Sequence, residues 1–206
     1  MIMINTPDFL SMRSGAITQK YYILTRNIDE SGAKDLTPNE EEVRNINAIL
    51  DLPDFTSLNV EQKALMWHFR YSLTSNKRAL VKFLQCVNWN NEKEEQETMA
   101  LLKKWVEIDI DQALPLLSFL FCANSIYHKG ALLFNNQFQR YNEIRTVGVR
   151  CLDKQTPQQI NSIMLQLVQA YRYESFNNSP LKKFLLGRAA RDETIAYTLH
   201  WHVNLE

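Results

Sequence analysis

Three features of the sequence predict an all-α fold. Glycine is scarce, with five in 206 residues and none from Ala33 to Lys129. Several segments open on pairs of helix-capping residues. Behind each, apolar residues recur every three or four positions. Hairpin turns and phosphate-cradling loops both draw on glycine, for positive φ or for close backbone approach. No glycines here have the spacing of Gly-x-Gly-x-x-Gly, Gly-x-x-x-x-Gly-Lys or Gly-x-Ser-x-Gly. A glycine-rich nucleotide loop is therefore excluded, and a turn-rich β-sandwich nearly so.

Thr37-Pro38-Asn39-Glu40 offers a capping Thr, a Pro whose missing N–H costs nothing there, and a Glu that can reach back, so a helix is expected over 38–50. Val43, Ile46 and Leu50 form its apolar face. Asn59 can cap a second helix with the stripe Leu65, Phe69 and Leu73, broadened by Met66 and Trp67. Ser75 precedes a third, in which Ala79, Leu80, Phe83, Leu84 and Val87 make a wide core-facing stripe. The acidic stretch Glu92 to Glu97 opens a fourth, where the helix dipole favours it, with Leu101, Leu102 and Trp105 inward. Asp109 and Gln112 are spaced as a capping pair for a fifth, with Ala113, Leu114, Leu117 and Leu120 inward and Pro115 awkwardly inside.

Residues 122–141 lose the pattern and are rich in Asn and Gln. Asn142 reopens a helix through Ile144, Val147, Gly148, Cys151 and Leu152. Thr156-Pro157-Gln158-Gln159 is a second capping box, ahead of Ile160, Ile163, Met164, Leu167, Val168 and Tyr171. Ser179-Pro180 starts another helix with Leu181, Phe184 and Leu185. Asp192 can cap a last one with Ile195, Leu199 and His202. The total is about nine helices, joined mostly by short links. That number and those lengths favour an elongated stack of antiparallel pairs over a bundle of a few long helices.

Composition narrows the class further. The 23 basic and 23 acidic residues cancel, and 45% of the chain is apolar, so disorder is excluded as the main state. At this length folding buries roughly 70% of the unfolded surface, and a core needs no staples. Neither an uninterrupted apolar run long enough to span a bilayer nor a signal peptide is present, since Met1 to Ile4 is too short and lacks a basic start. Cys86, Cys122 and Cys151 have neither a disulfide-framework nor a metal-ligand spacing, which points to a reducing, intracellular compartment.

Each chemical signal has a plain structural reading. His200 and His202 project roughly 200° apart on a helix and cannot share a metal. His68 and His128 lack ligands at zinc spacing. Cys86 beside the Phe83–Leu84 stripe reads as a buried thiol. Trp67, Trp89 and Trp105 read as core fillers. Gln166 and Gln169 could tie a neighbouring loop. Lys182, Lys183, Arg188 and Arg191 give 181–191 four positive charges and no negative one. They read as a solvated helix face, or as a contact with a neighbouring domain or an acidic membrane. Zero net charge argues against nucleic acid. No catalytic, cofactor or metal constellation emerges.

Several blocks are similar to a known family. Lys20-Tyr21-Tyr22-Ile23-Leu24-Thr25-Arg26 and Asp35-Leu36-Thr37-Pro38-Asn39 resemble the entry to the helical (accessory, PIK) domain of phosphatidylinositol 3-kinases. Trp67 to Thr74 with Ala79 to Trp89 resembles that family's WKFRYYLT…ALTKFLKCVNW block. Leu101 to Trp105, Leu165 to Glu174, Phe184 to Ala189 and Tyr197 to Glu206 match further blocks in order. The wording Lys82-Phe83-Leu84-Gln85-Cys86-Val87-Asn88-Trp89 points to class III, whose product is phosphatidylinositol 3-phosphate for endosomal sorting and autophagy.

The resemblance implies a right-handed superhelix of antiparallel helix pairs, armadillo- or HEAT-like. It implies an entry segment over 1–36 and a helical accessory domain over 37–206, with an insertion at about 122–141 carrying Ile126, Tyr127, Leu132, Leu133, Phe134 and Phe138. That insertion is expected to pack back as a short extra helix, the alternative being a patch for a partner. The implied role is a non-catalytic scaffold between a lipid-binding and a kinase domain, in a parent that uses ATP with Mg or Mn. Implied partners are those domains and the regulatory subunits of a class III complex. The implied location is the cytoplasm, peripheral at endosomal membranes through the parent complex. The kinase motifs would lie beyond Glu206, so the chain by itself is expected to hold no cofactor and to transfer no phosphate. The alternative is a free-standing helical-repeat binding module.

Overall fold

The computed structural model describes residues 34, 36–54, 56–118, 134–172 and 179–205. Among them lie eleven helices and no strand: α1 (Glu40–Leu50), α2 (Val60–His68), α3 (Arg70–Leu73), α4 (Leu80–Cys86), α5 (Glu92–Lys104), α6 (Ile110–Leu117), α7 (Phe134–Leu152), α8 (Pro157–Ser162), α9 (Met164–Arg172), α10 (Pro180–Ala189) and α11 (Glu193–Leu205). The all-α expectation holds. The count exceeds the expected figure of about nine because two runs are each split at one residue. Phe69 (φ −96°, ψ 23°) separates α2 from α3, and Ile163 (φ −110°, ψ 10°) separates α8 from α9. Both sit near the sparsely allowed bridge region. The hydrogen-bond ladder runs on through them, with Leu73 N donating to Phe69 O at 3.0 Å and Leu167 N to Ile163 O at 3.1 Å. They turn the apolar stripe without ending the helical run.

The caps explain most boundaries. At α1 the box is Asn39–Glu42, not Thr37–Glu40: Glu42 N donates to Asn39 Oδ1 at 2.9 Å, and Asn39 N to Glu42 Oε2 at 2.8 Å. Starting there puts Glu40, Glu41 and Glu42 in the first turn, where the dipole favours carboxylates. Thr156–Gln159 forms the expected box, and Asn59 caps α2 as expected, with Gln62 completing a third box. Ser179 and Asp192 accept from the N–H groups of Lys182 and Ile195. Ser75 caps nothing, because α4 begins only at Leu80. Trp105 lies just past α5 and is still buried, its Nε1 donating to Asn76 O at 3.2 Å. Asp109 precedes α6 without a side-chain cap bond, and the helix continues through the buried Pro115 before ending at Ser118. Leu120, expected inward, lies outside the described residues, as does the entry segment apart from Lys34 and Leu36.

The insertion reads differently from expectation over its last turns. Residues 122–133 lie outside the described residues, while α7 starts at Phe134 rather than Asn142. The end of the insertion is thus the first part of a 19-residue helix, not a separate one.

One core cluster runs from Ile46 in α1 to Ile195 in α11. Its first half centres on stacked rings: Trp67 lies 5.9 Å from Phe83 at an interplanar angle of 5°, and Phe83 lies 5.2 Å from Trp105. Helices pack on elements near them in the chain: α1 on α2, α2 on α4, α4 on α6, α5 and α6 on α7, α6 on α9, α7 on α10, and α8, α9 and α10 each on α11. The helices α6 and α7 come close at Gly148, where a Cβ would meet Ala113 O and Leu117 Cγ of α6, each at 3.3 Å.

Among the described residues four charged side chains are buried inside this apolar ribbon: Arg70, Lys82, Glu94 and Arg145. Lys82 follows from the central place of α4, which is enclosed on nearly every side. Its Nζ donates to Pro53 O, and Gln85 Nε2 donates to Asp54 O, so α4 holds the α1–α2 connection by two backbone carbonyls. Burial pushes the Lys82 ammonium below its ordinary pKa, opposed by the nearby Asp54 carboxylate. The folded state thus binds a proton at Lys82 less readily than the unfolded chain. Between the folded pKa and the ordinary lysine value, stability must rise with pH, because the unfolded state is then the more protonated. Lys82→Met removes the titration but keeps the packing. Urea denaturation at rising pH between 7 and 10 should therefore show wild type gaining stability relative to Lys82→Met; parallel curves would refute it.

Candidate functional site

No helix among the described residues is long and apolar enough to cross a membrane, and no group of three or more His, Cys, Asp or Glu among them could hold a metal ion. The tempting nucleophiles are occupied with backbone. Cys86 Sγ donates to Lys82 O at 3.1 Å, and Cys151 Sγ to Ile108 O at 2.9 Å; both are buried. Burial, with Asp109 and Glu107 adding to it, pushes the Cys151 thiol up, away from thiolate chemistry. Cys122 and His128 lie outside the described residues. His68 is half-buried edge-on to Phe69, with its pKa lowered by burial against the pull of Glu42. His200 is exposed and pairs with Asn204 on the same helix. Gln166 and Gln169 are exposed on α9.

Two surfaces stand out. A cleft of about 240 Å³ between the α5–α6 connection and the end of α7 has Trp105, Val147 and Cys151 among its lining, with Arg150 beside them. Charged pairs rim it: Lys77 with Asp109 at 3.6 Å, and Lys154 with Glu107. The hydrogen bond from Lys154 holds the Glu107 carboxyl below its usual range.

The second surface is apolar and lies at the far end of the chain. Leu185, Leu186 and Ala189 of α10 face Ala196, Leu199 and Val203 of α11 across a groove of about 290 Å³. Outside it, Tyr197 and Trp201 stand 6.0 Å apart, 65% and 49% exposed. Leu186, Val203 and Leu165 are exposed as well. These positions fall off the inward stripes of α9, α10 and α11, and that off-stripe apolar content is the signal that sequence reading passed over.

The four cations singled out on α10 and beyond it divide. Lys183 and Arg191 are exposed, and Lys182 is half-buried on the edge of the groove. Arg188 turns inward, 17% exposed, with its guanidinium 5.5 Å from the Phe184 ring centroid. Its Nη2 donates to the carbonyls of Leu152 at 3.3 Å, Gln155 at 3.2 Å and Asp153, and it lies 3.6 Å from the Asp153 carboxylate. A cation at the C-terminal end of α7 satisfies carbonyls that have no intrahelical donor. Arg145, missed by the sequence reading, does the reverse: fully buried in α7, its Nη2 donates to Ala170 O in the last turn of α9 at 3.1 Å.

Comparison with known proteins fits this picture of a continuous helical core. The model of the phosphoinositide 3-kinase family accessory domain (PIK domain) matches residues 34–131 and 127–206. This chain belongs to the PIK-domain family. The two matched stretches overlap at residues 127–131, within the 122–141 insertion. The chain is 36% identical over 183 residues to the root isoform of phosphatidylinositol 3-kinase from Glycine max, covering 89% of this chain and 20% of that protein. It is 35% identical over 184 residues to phosphatidylinositol 3-kinase VPS34 of Arabidopsis thaliana, with the same coverage. It is 36% identical over 180 residues to phosphatidylinositol 3-kinase pik3 of Schizosaccharomyces pombe, covering 84% of this chain and 20% of that protein. The chain thus spans about a fifth of the length of these curated relatives, and what it matches in them is a PIK domain.

Proposed function

We propose that this PIK domain is the non-catalytic scaffold of a class III-like phosphatidylinositol 3-kinase, a superhelix of antiparallel helix pairs over residues 37–206 that follows an entry segment over 1–36. In that reading it holds a lipid-binding and a kinase domain at a fixed distance and angle. The parent phosphorylates phosphatidylinositol at the 3-position with ATP and Mg or Mn. The observation that carries the reading is the family match over residues 34–206 on a chain whose core is unbroken from α1 to α11. Each helix rests on near neighbours in the chain, the packing expected of stacked pairs. Such a ribbon resists bending, and fixing where an active site meets its substrate contributes to catalysis without any chemistry in the spacer.

Neighbouring domains or regulatory subunits would bear on the α10–α11 face, with the exposed Lys183 and Arg191, and Lys182 at the groove edge, as the cations offered to them; Arg188 is taken up inside. The parent complex would bring the domain to endosomal membranes from the cytoplasm, in sorting and autophagy. The test is a chimaera of Schizosaccharomyces pombe phosphatidylinositol 3-kinase in which this chain replaces the accessory domain. It should retain lipid phosphorylation, whereas a Gly/Ser linker of equal length should not. A chimaera no better than the linker would sink the scaffold reading. The purified chain alone, with phosphatidylinositol vesicles and Mg-ATP, should show no turnover; measurable turnover would overturn its non-catalytic assignment.

A further inference from the structure

The helices α8–α11 pack on one another, and they meet the earlier helices chiefly where α9 lies on α6 and α10 lies on α7. The helices on both sides of that seam contribute to one apolar core, with Ile144 and Leu152 of α7, Leu167 of α9 and Leu181 of α10 all buried in it. Apolar contact is non-directional and tolerates sliding and rotation. Two arginines cross the same seam in opposite directions. Arg145 reaches from α7 to the last turn of α9, and Arg188 reaches from α10 to the carbonyls of Leu152, Asp153 and Gln155 at the end of α7. Each guanidinium is a rigid planar fork whose donors demand acceptors at set directions. Each engages, through its Nη2, carbonyls at a helix C-terminal end, where the dipole favours a cation. Leu152 O also accepts from Gln155 N at 3.0 Å, and Arg188 Nε makes no hydrogen bond. Stacking on Phe184 and the nearby Asp153 carboxylate hold the Arg188 fork in place.

We propose that Arg145 and Arg188 form a reciprocal clamp that fixes the angle between α1–α7 and α8–α11, so that the stiffness of the domain at this seam is set by one buried and one partly buried cation and not by the apolar contact alone. A buried charge that contributes directionality at the expense of desolvation is a known means of selecting one arrangement among several apolar ones. The clamp deepens the spacer reading by naming the residues that set its angle. It is tested on the isolated chain, so it can fail while the chimaera succeeds, or the reverse.

The experiment is the measurement of backbone N–H residual dipolar couplings on the whole chain, with Arg188→Met, Arg145→Met and Arg188→Lys compared to wild type. In wild type, couplings from α1–α7 and α8–α11 should fit one alignment tensor. In either Met variant, which keeps the unbranched apolar stem and loses the donors, the α8–α11 couplings should depart from that tensor and shrink. Arg188→Lys keeps the charge but not the fork, and should fall between. If the Met variants do not fold, Arg188→Lys decides alone. A folded variant set that still fits a single tensor, even with a lowered melting temperature, would reduce both residues to ordinary packing and overturn the clamp.

Discussion

Replacing Arg70 by alanine is expected to destabilise the domain by about 3–5 kcal/mol, the range found when one partner of a buried ion pair is removed. At this chain size that lowers the melting temperature by on the order of 10 °C. Arg70 is 2% exposed and opens α3 immediately after the bend at Phe69. Its Nε lies 2.6 Å from Glu97 Oε1 on α5, and its Nη1 donates to Trp67 O at 3.1 Å. The guanidinium lies 4.9 Å from the Trp67 ring and 5.2 Å from that of Tyr71. Tyr71 Oη donates to the same Glu97 oxygen at 2.7 Å. Alanine would leave Glu97, itself only 14% exposed, with the tyrosine alone, and would open a void under the stacked Trp67 and Phe83. The loss comes mainly from the stranded carboxylate, and a second variant shows it. Arg70→Met combined with Glu97→Leu removes both charges and should recover most of the stability. Urea denaturation of the three proteins decides: a double variant as weak as Arg70→Ala would place the cost in packing instead.

That node also shows how far the sequence could be read. The helices were legible because their signals are local. Asn59, Thr156 and Ser179 announce starts, and the stripes behind them, such as Leu181, Phe184 and Leu185, are buried as their spacing requires. Bends at Phe69 and Ile163 were not legible, since neither glycine nor proline marks them and the ladder continues through both. Once the chain bends at Phe69, Arg70 swings off the solvent side into the core, so a cation at an apparently outward position becomes buried. Lys82 escaped for a related reason: periodicity assigns one inward face, but a helix packed by neighbours on several sides buries its other face too. The surface was the least legible part. Four cations on and just beyond α10 say nothing about which one turns inward, because that depends on the carbonyls of Leu152, Asp153 and Gln155, more than thirty residues away in sequence.

Gly148→Leu should be the second large effect, a loss of about 2–3 kcal/mol from overpacking. The position lies mid-helix in α7, where glycine is intrinsically worse than alanine by about 1 kcal/mol, so its presence asks for a reason of packing. The reason is α6. A bare Cβ at 148 would already stand 3.3 Å from Ala113 O and 3.3 Å from Leu117 Cγ. Ala113 O is main chain in a helix and cannot rotate away, whereas Leu117 can shift slightly at the expense of its fully buried contacts. For Gly148→Ala the gain in helix propensity and the strain against Ala113 are of similar size, and the net change should stay within about 1 kcal/mol of zero. For leucine no such balance exists, because the added atoms lie where Leu117 already is. The two helices must then separate, loosening the α6–α7 contact through which the first half of the core reaches the second. The check is calorimetric unfolding of the wild type and both variants, with amide exchange across α6. Leucine tolerated with no loss of protection in α6 would mean the two helices do not approach this closely in solution. Leucine destabilising while alanine does not would show that backbone proximity, and not helix propensity, dictates the residue at this position.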